Sequence, residues 1–148
     1  AGDERLGWSL GAHLALELAL AGGQRVDRCC LVSLRPRFGE AELAAEQASL
    51  LQRPGDHLAS FYRRAMVGLR GEPREQAGRL AKASIRAPDV EALGAGLDCL
   101  AGCSATAAQL DQVQALVLHG QRDLIAPHPE IAALVAQCQR ARLHVEPS

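Results

Sequence analysis

One segment constrains the fold more than any other: RLGWSLGAHLALELAL, Arg5 to Leu20. Its centre, Gly7-Trp8-Ser9-Leu10-Gly11, reads G-x-S-x-G. Leu10–Ala21 follows at once and is dominated by Leu, Ala and Glu, which are strong helix formers. This stretch is apolar on nearly every side, which predicts a buried helix rather than one lying on a surface. Gly22-Gly23 ends it, since glycine readily takes the left-handed conformation after a helix. RCCLVSL, Arg28 to Leu34, is then a short continuous apolar run and predicts a strand buried on both faces. With Arg5 to Trp8 as the tail of an earlier strand, the order is strand, sharp turn, helix, strand. That is a βαβ unit, and a parallel sheet is its natural consequence.

The pattern changes from Arg35 to about Leu110, where no strand is evident. Helices are expected near Glu40–Leu51, Asp56–Leu69, Pro73–Arg86 and Asp89–Ala101, with Asp56 as an N-cap and Pro73 in a first turn. Sheet character returns at QALVLHG, Gln114 to Gly120. QRDLIAP reads as a loop, Pro129 to Gln139 as a helix, and Ala141 to Pro147 as a last strand. The expected organisation is α/β: core sheet at 1–34, a helical cap at 35–110, and core sheet again at 111–148.

Length and composition narrow the classes. The 148 residues suffice for a domain with a real core, and 48% apolar with 22% charged residues is a globular balance. A formal net charge of -1 and 3% aromatic residues give no case for nucleic acid, which needs basic surface and stacking platforms. The longest candidate for a membrane span is Leu14–Ala21, well short of the roughly 20 apolar residues a span requires. Five cysteines, Cys29, Cys30, Cys99, Cys103 and Cys138, form no C-x-x-C pair. They read as mostly buried thiols in a reducing, cytoplasmic compartment rather than a zinc site or disulfide framework.

A serine hydroxyl is a poor nucleophile until a base takes its proton, and it must project from the backbone to be reached. A tight strand-to-helix turn achieves that but crowds the chain, and glycines two before and two after the serine relieve the crowding. The following helix aims its free N–H groups at the site, so the amide of Leu10 is a natural donor to developing negative charge. The competing reading is a small-residue turn in which Ser9 only caps the helix.

These residues carry a resemblance. LGWSLGAHLALELA, RVDRCCLVSLRPRF, a helical stretch and ALVLHGQRDLIAP, in that order, resemble the α/β-hydrolase superfamily. Within it, G-W-S-L-G and the RPRF after the next strand are most similar to the pimeloyl-[acyl-carrier protein] methyl ester esterase group of biotin synthesis. The resemblance covers the two sheet portions, about half of the chain, and matches the helical block only in position. It implies a triad in the order serine, acid, histidine, with Ser9 as the nucleophile and Asp123 of HGQRD as the acid. Asp123 follows a parallel strand, where α/β sites gather, while Asp98 and Asp111 do not. Its competing reading is a turn-forming aspartate. Trp8 is implied to line the acyl pocket; otherwise it is a packed side chain of the turn. The implied reaction is hydrolysis of a carboxylic ester through an acyl-enzyme, on a small-molecule or carrier-linked substrate, with no metal or organic cofactor. The rivals are another capped hydrolase (a C–C hydrolase, thioesterase or acyltransferase) and a non-catalytic hydrolase-like scaffold that binds a partner.

The histidine is the gap in the pattern. His13, His57, His119, His128 and His144 each read as structural or surface residues, so the catalytic histidine is expected beyond Ser148. The superfamily's earlier strands, with the second oxyanion donor, are expected ahead of Ala1. The 148 residues alone are therefore expected to be inactive or poorly soluble, with the strand ending at Trp8 an exposed edge. Between Arg63 and Arg86, seven basic residues (Arg63, Arg64, Arg70, Arg74, Arg79, Lys82, Arg86) face two acidic ones, a local net of +5. Such a patch steers acidic partners, and the resemblance implies an acyl carrier protein docked there. The competing reading is a solvated helix face.

Overall fold

The computed structural model describes residues 3–21 and 26–147. Four strands, β1 (Asp3–Trp8), β2 (Val26–Val32), β3 (Gln114–Gly120) and β4 (Arg142–Glu146), form one sheet in the order β1-β2-β3-β4. Every neighbouring pair is parallel, in the registers Trp8↔Val32, Val32↔Leu118 and Leu118↔His144. Three helices belong with this sheet: α1 (Leu10–Ala21) directly after β1, α6 (Ala107–Gln112) before β3, and α7 (His128–Val135) between β3 and β4. Four more, α2 (Glu40–Gln52), α3 (Pro54–Ala65), α4 (Gly71–Arg86) and α5 (Val90–Gly102), lie between β2 and α6 in the chain. They form a separate compact unit, residues 38–102.

The first unit is built around one face of its sheet. Cys29 and Leu31 of β2 and Ala115 and Val117 of β3 point to the same side and are buried. Ala12, Ala15, Leu16 and Ala19 of α1, Leu110 of α6 and Ile131 of α7 close over them. The spacing of the α1 residues is that of one helix face. Leu14 and Leu18 on the other side of α1 are 40% and 61% exposed, so this helix is half-buried, not buried all round as its composition predicts. β2 differs from expectation in the same way: Arg28 is exposed and Cys30 and Val32 are half-buried. The cause is that α1, α6 and α7 all pack on one side of the sheet. The Gly22-Gly23 stop lies outside the described residues.

The compact helical unit is narrower than the 35–110 block read from the sequence. α6 packs with the sheet because Leu110, and Val113 just after it, are buried in the sheet's core. The sequence reading missed this helix, although its start carries a capping box: Thr106 Oγ1 accepts from the Gln109 amide while Gln109 reaches back to the Thr106 amide. Two other helix starts move. Arg53, not Asp56, is the N-cap of α3, because Pro54 opens the helix at its first position. α4 begins at Gly71, two residues before Pro73.

None of the five cysteines is in a disulfide. Cys29 and Cys103 are buried, Cys30 and Cys138 half-buried, and Cys99 exposed, so fewer are buried than expected. Burial pushes the thiols of Cys29 and Cys138 up, which keeps them protonated and unreactive.

Candidate active site

Ser9 occupies a one-residue turn between β1 and α1. Its φ is +55°, the left-handed region that side chains with a Cβ rarely adopt. Two backbone bonds hold it there: the Ser9 amide donates to the Val32 carbonyl at 2.9 Å, and the Ala12 amide donates to the Ser9 carbonyl at 2.9 Å. Among the described residues the Ser9 hydroxyl has no hydrogen-bond partner, so it does not serve as a side-chain cap of α1.

Of the two flanking glycines, Gly7 is the one the turn requires. A Cβ on Gly7 would lie 2.1 Å from the Gly11 carbonyl oxygen and 2.7 Å from Ala12 Cα. A Cβ on Gly11 would meet nothing within 4 Å. The motif's glycines are thus unequal: the first lets α1 cross close over β1, and the second is the backbone it crosses. Leu10 is the first residue of α1, and its amide has no acceptor within the helix. Trp8, the last residue of β1, is 66% exposed.

Asp123 lies in the loop between β3 and α7. Its Oδ1 accepts from the amides of Ile125 and Ala126, both at 2.9 Å, and its own amide donates to the Gly120 carbonyl at 3.2 Å. Asp123 therefore does shape the turn, but with one oxygen only. Oδ2 lies 3.8 Å from His119 Nε2, beyond hydrogen-bond reach, and is left to accept from another group.

Ser9 and Asp123 follow strands of the same sheet at its carboxyl edge, the edge at which α/β sheets bind ligands. Between them is a residue the sequence reading did not single out. Ser33 follows β2 with φ +50°, and its amide donates to the Leu118 carbonyl at 2.9 Å. The register places Ser9, Ser33 and His119 side by side across three strand ends. Two non-glycine residues in the left-handed region at adjacent strand ends mark this edge as strained, and such strain gathers at functional sites. Serine has no special preference for positive φ, so no sequence signal announced Ser33. Nearby, Arg35 fixes the exit of β2 to the first turn of α7: its Nε donates to Glu130 Oε2 at 2.9 Å.

None of the five histidines is hydrogen-bonded to Ser9 or Asp123. His13 is buried in α1, where burial lowers its pKa against the opposing pull of Glu17 and the Arg35 backbone. His144 pairs with Glu146 on exposed β4, and His57 pairs with Glu46 in the helical unit. His128 begins α7. Among the described residues no group of three or more His, Cys, Asp or Glu is placed to hold a metal ion. No described helix is long and apolar enough to cross a membrane.

In the helical unit, Arg64 NH2 donates to Glu46 Oε1 at 2.9 Å, so its charge is already paired. Arg63 and Arg70 are exposed. On α4, Arg79, Lys82 and Arg86 share one exposed face with Glu75.

No family model matches the chain. The pimeloyl-[acyl-carrier protein] methyl ester esterase of Nitrosospira multiformis is 33% identical over 143 residues, covering 88% of this chain and 54% of that protein. The chain thus spans about half the length of the curated relative it matches. Among solved structures, a hydrolase from Pseudomonas aeruginosa PA01 superposes with a TM-score of 0.77 at 23% identity, over 99% of this chain and 57% of its own. MGS-M2, an alpha/beta hydrolase enzyme from a Medee basin deep-sea metagenome library, does so at 0.72 and 16% identity, again over 99% and 57%. The chain carries part of the α/β-hydrolase fold.

Proposed function

We propose that this chain carries the nucleophile and the acid of a serine hydrolase that cleaves carboxylic esters. The observation behind the reading is Ser9 itself: a serine held at positive φ between β1 and α1, its hydroxyl without a hydrogen-bond partner among the described residues, on the same sheet edge as Asp123. In this reading Ser9 Oγ attacks the ester carbonyl carbon and gives its proton to a histidine, which passes it to the leaving alcohol. Water then cleaves the acyl-serine ester by the same route in reverse. The Leu10 amide donates to the oxyanion in both steps, and Trp8 lines the acyl site. Asp123 Oδ2 accepts from the histidine, which we place beyond Ser148.

The relative's name suggests a substrate class: a methyl ester carried on an acyl carrier protein. Exposed Arg63 and Arg70 fit an acidic carrier, whereas Arg64 is already engaged by Glu46. The test compares methyl esters, thioesters and acyl donors as substrates for the protein encoded by the complete reading frame. Asp123→Asn should lower kcat on the preferred ester about 10⁴-fold by disturbing the histidine's tautomer. Full activity in that variant would remove Asp123 from the site.

A further inference from the structure

The loop that carries Asp123 is tied back to the strand it leaves. His119 is the penultimate residue of β3, on the helix-packed face of the sheet, and its side chain is 0% exposed. Its Nε2 is hydrogen-bonded to the carbonyl of Ala126, at the far end of the loop. A carbonyl oxygen can only accept, so Nε2 carries the proton and donates. Nδ1 is buried with no hydrogen-bond partner among the described residues. The ring is therefore closed from solvent with its one donor engaged, and it is not the base.

What it does is fix the loop. Ala126 is 3% exposed, so its carbonyl depends on a protein donor. With that carbonyl held, the Ala126 and Ile125 amides stay aimed at Asp123 Oδ1. The Gln121 amide, donating to the Glu146 carbonyl at 3.0 Å, pins the other end of the loop to β4. We propose that His119 is the positioning residue of the acid: through Ala126 it commits Asp123 Oδ1 to the loop backbone and leaves Oδ2 as the oxygen that receives the base. This rests on the reading of Asp123 as the acid.

The test is amide hydrogen exchange in the protein from the complete reading frame, comparing His119→Gln with His119→Leu. Glutamine places an N–H donor near the position of Nε2; leucine fills the space without one. Exchange at Ile125 and Ala126 should quicken about tenfold or more in His119→Leu and stay within about threefold of the parent in His119→Gln, with Leu16 and Leu31 unchanged in both. Equal exchange at Ile125 and Ala126 in the two variants would overturn the proposal. So would faster exchange at Leu16 and Leu31 in His119→Leu, which would reduce His119 to general packing. If His119→Leu does not fold, His119→Asn, whose shorter amide falls short of Ala126, takes its place with the same readings. In the protein from the complete reading frame, His119→Leu should lower kcat with KM unchanged, and His119→Gln should restore it. An active Asp123→Asn beside the predicted exchange pattern would remove the acid role and leave the loop lock standing, so the two failures are distinguishable.

Discussion

At the residue scale the decisive contact is between backbones. α1 crosses β1 so closely that Gly7 has no room for a Cβ, while Gly11 has ample room. Gly7→Ala must push β1 and α1 apart, at a cost of about 1–3 kcal/mol. Gly11→Ala should be neutral or slightly stabilising, since alanine is the better helix residue. Denaturant unfolding of the two variants measures this, and equal losses would show that the turn is not built as described. The G-x-S-x-G pattern reveals that glycines are needed, but not that only one is sterically essential. Ser33 was illegible for a different reason: its positive φ comes from where β2 ends against Leu118, not from its side chain. Asp123 was legible by position, but its division of labour between Oδ1 and Oδ2 depends on the Ile125 and Ala126 amides, which only the folded loop brings round.

At the element scale α1 carries a pH dependence. Burial holds His13 neutral by lowering its folded pKa below the unfolded value of about 6.5. Above that value the group contributes no pH dependence. As pH falls from there toward the depressed folded value, the unfolded chain binds more protons than the folded one, and stability drops. The melting temperature should therefore fall between pH 7 and pH 5 more steeply in the parent than in His13→Leu; parallel profiles would contradict this. The helices also show which signals reach the sequence. α1 was readable at both ends because helix formers begin immediately after Ser9 and continue to Ala21. Its one-sided burial was not readable, because Leu14 and Leu18 are as apolar as Leu16 and only packing separates them. α6 was overlooked in spite of Thr106 and Gln109, because six residues are too few to show periodicity.

At the scale of the whole molecule, four parallel strands place their carboxyl ends in one row, and that row collects Ser9, Ser33 and the Asp123 loop. The βαβ order made the sheet legible, since parallel strands need crossovers of this length. The 35–110 boundary was less legible because the short helix next to β3 belongs by burial to the sheet and by composition to neither side. Charge is the other property of this scale. If the helical unit docks an acidic carrier, reversing Arg63 and Arg70 to glutamate should lower kcat/KM about tenfold for a carrier-linked ester and leave a free small ester unchanged, with the difference fading at high salt. Equal losses on both substrates would argue against docking. The central claim is that Ser9 is a nucleophile. Its most direct test is a fluorophosphonate probe applied to the protein from the complete reading frame, followed by peptide mapping of the adduct. The account predicts one adduct, on Ser9, abolished by Ser9→Ala. A folded protein that takes no label, or takes it at another residue, would contradict it.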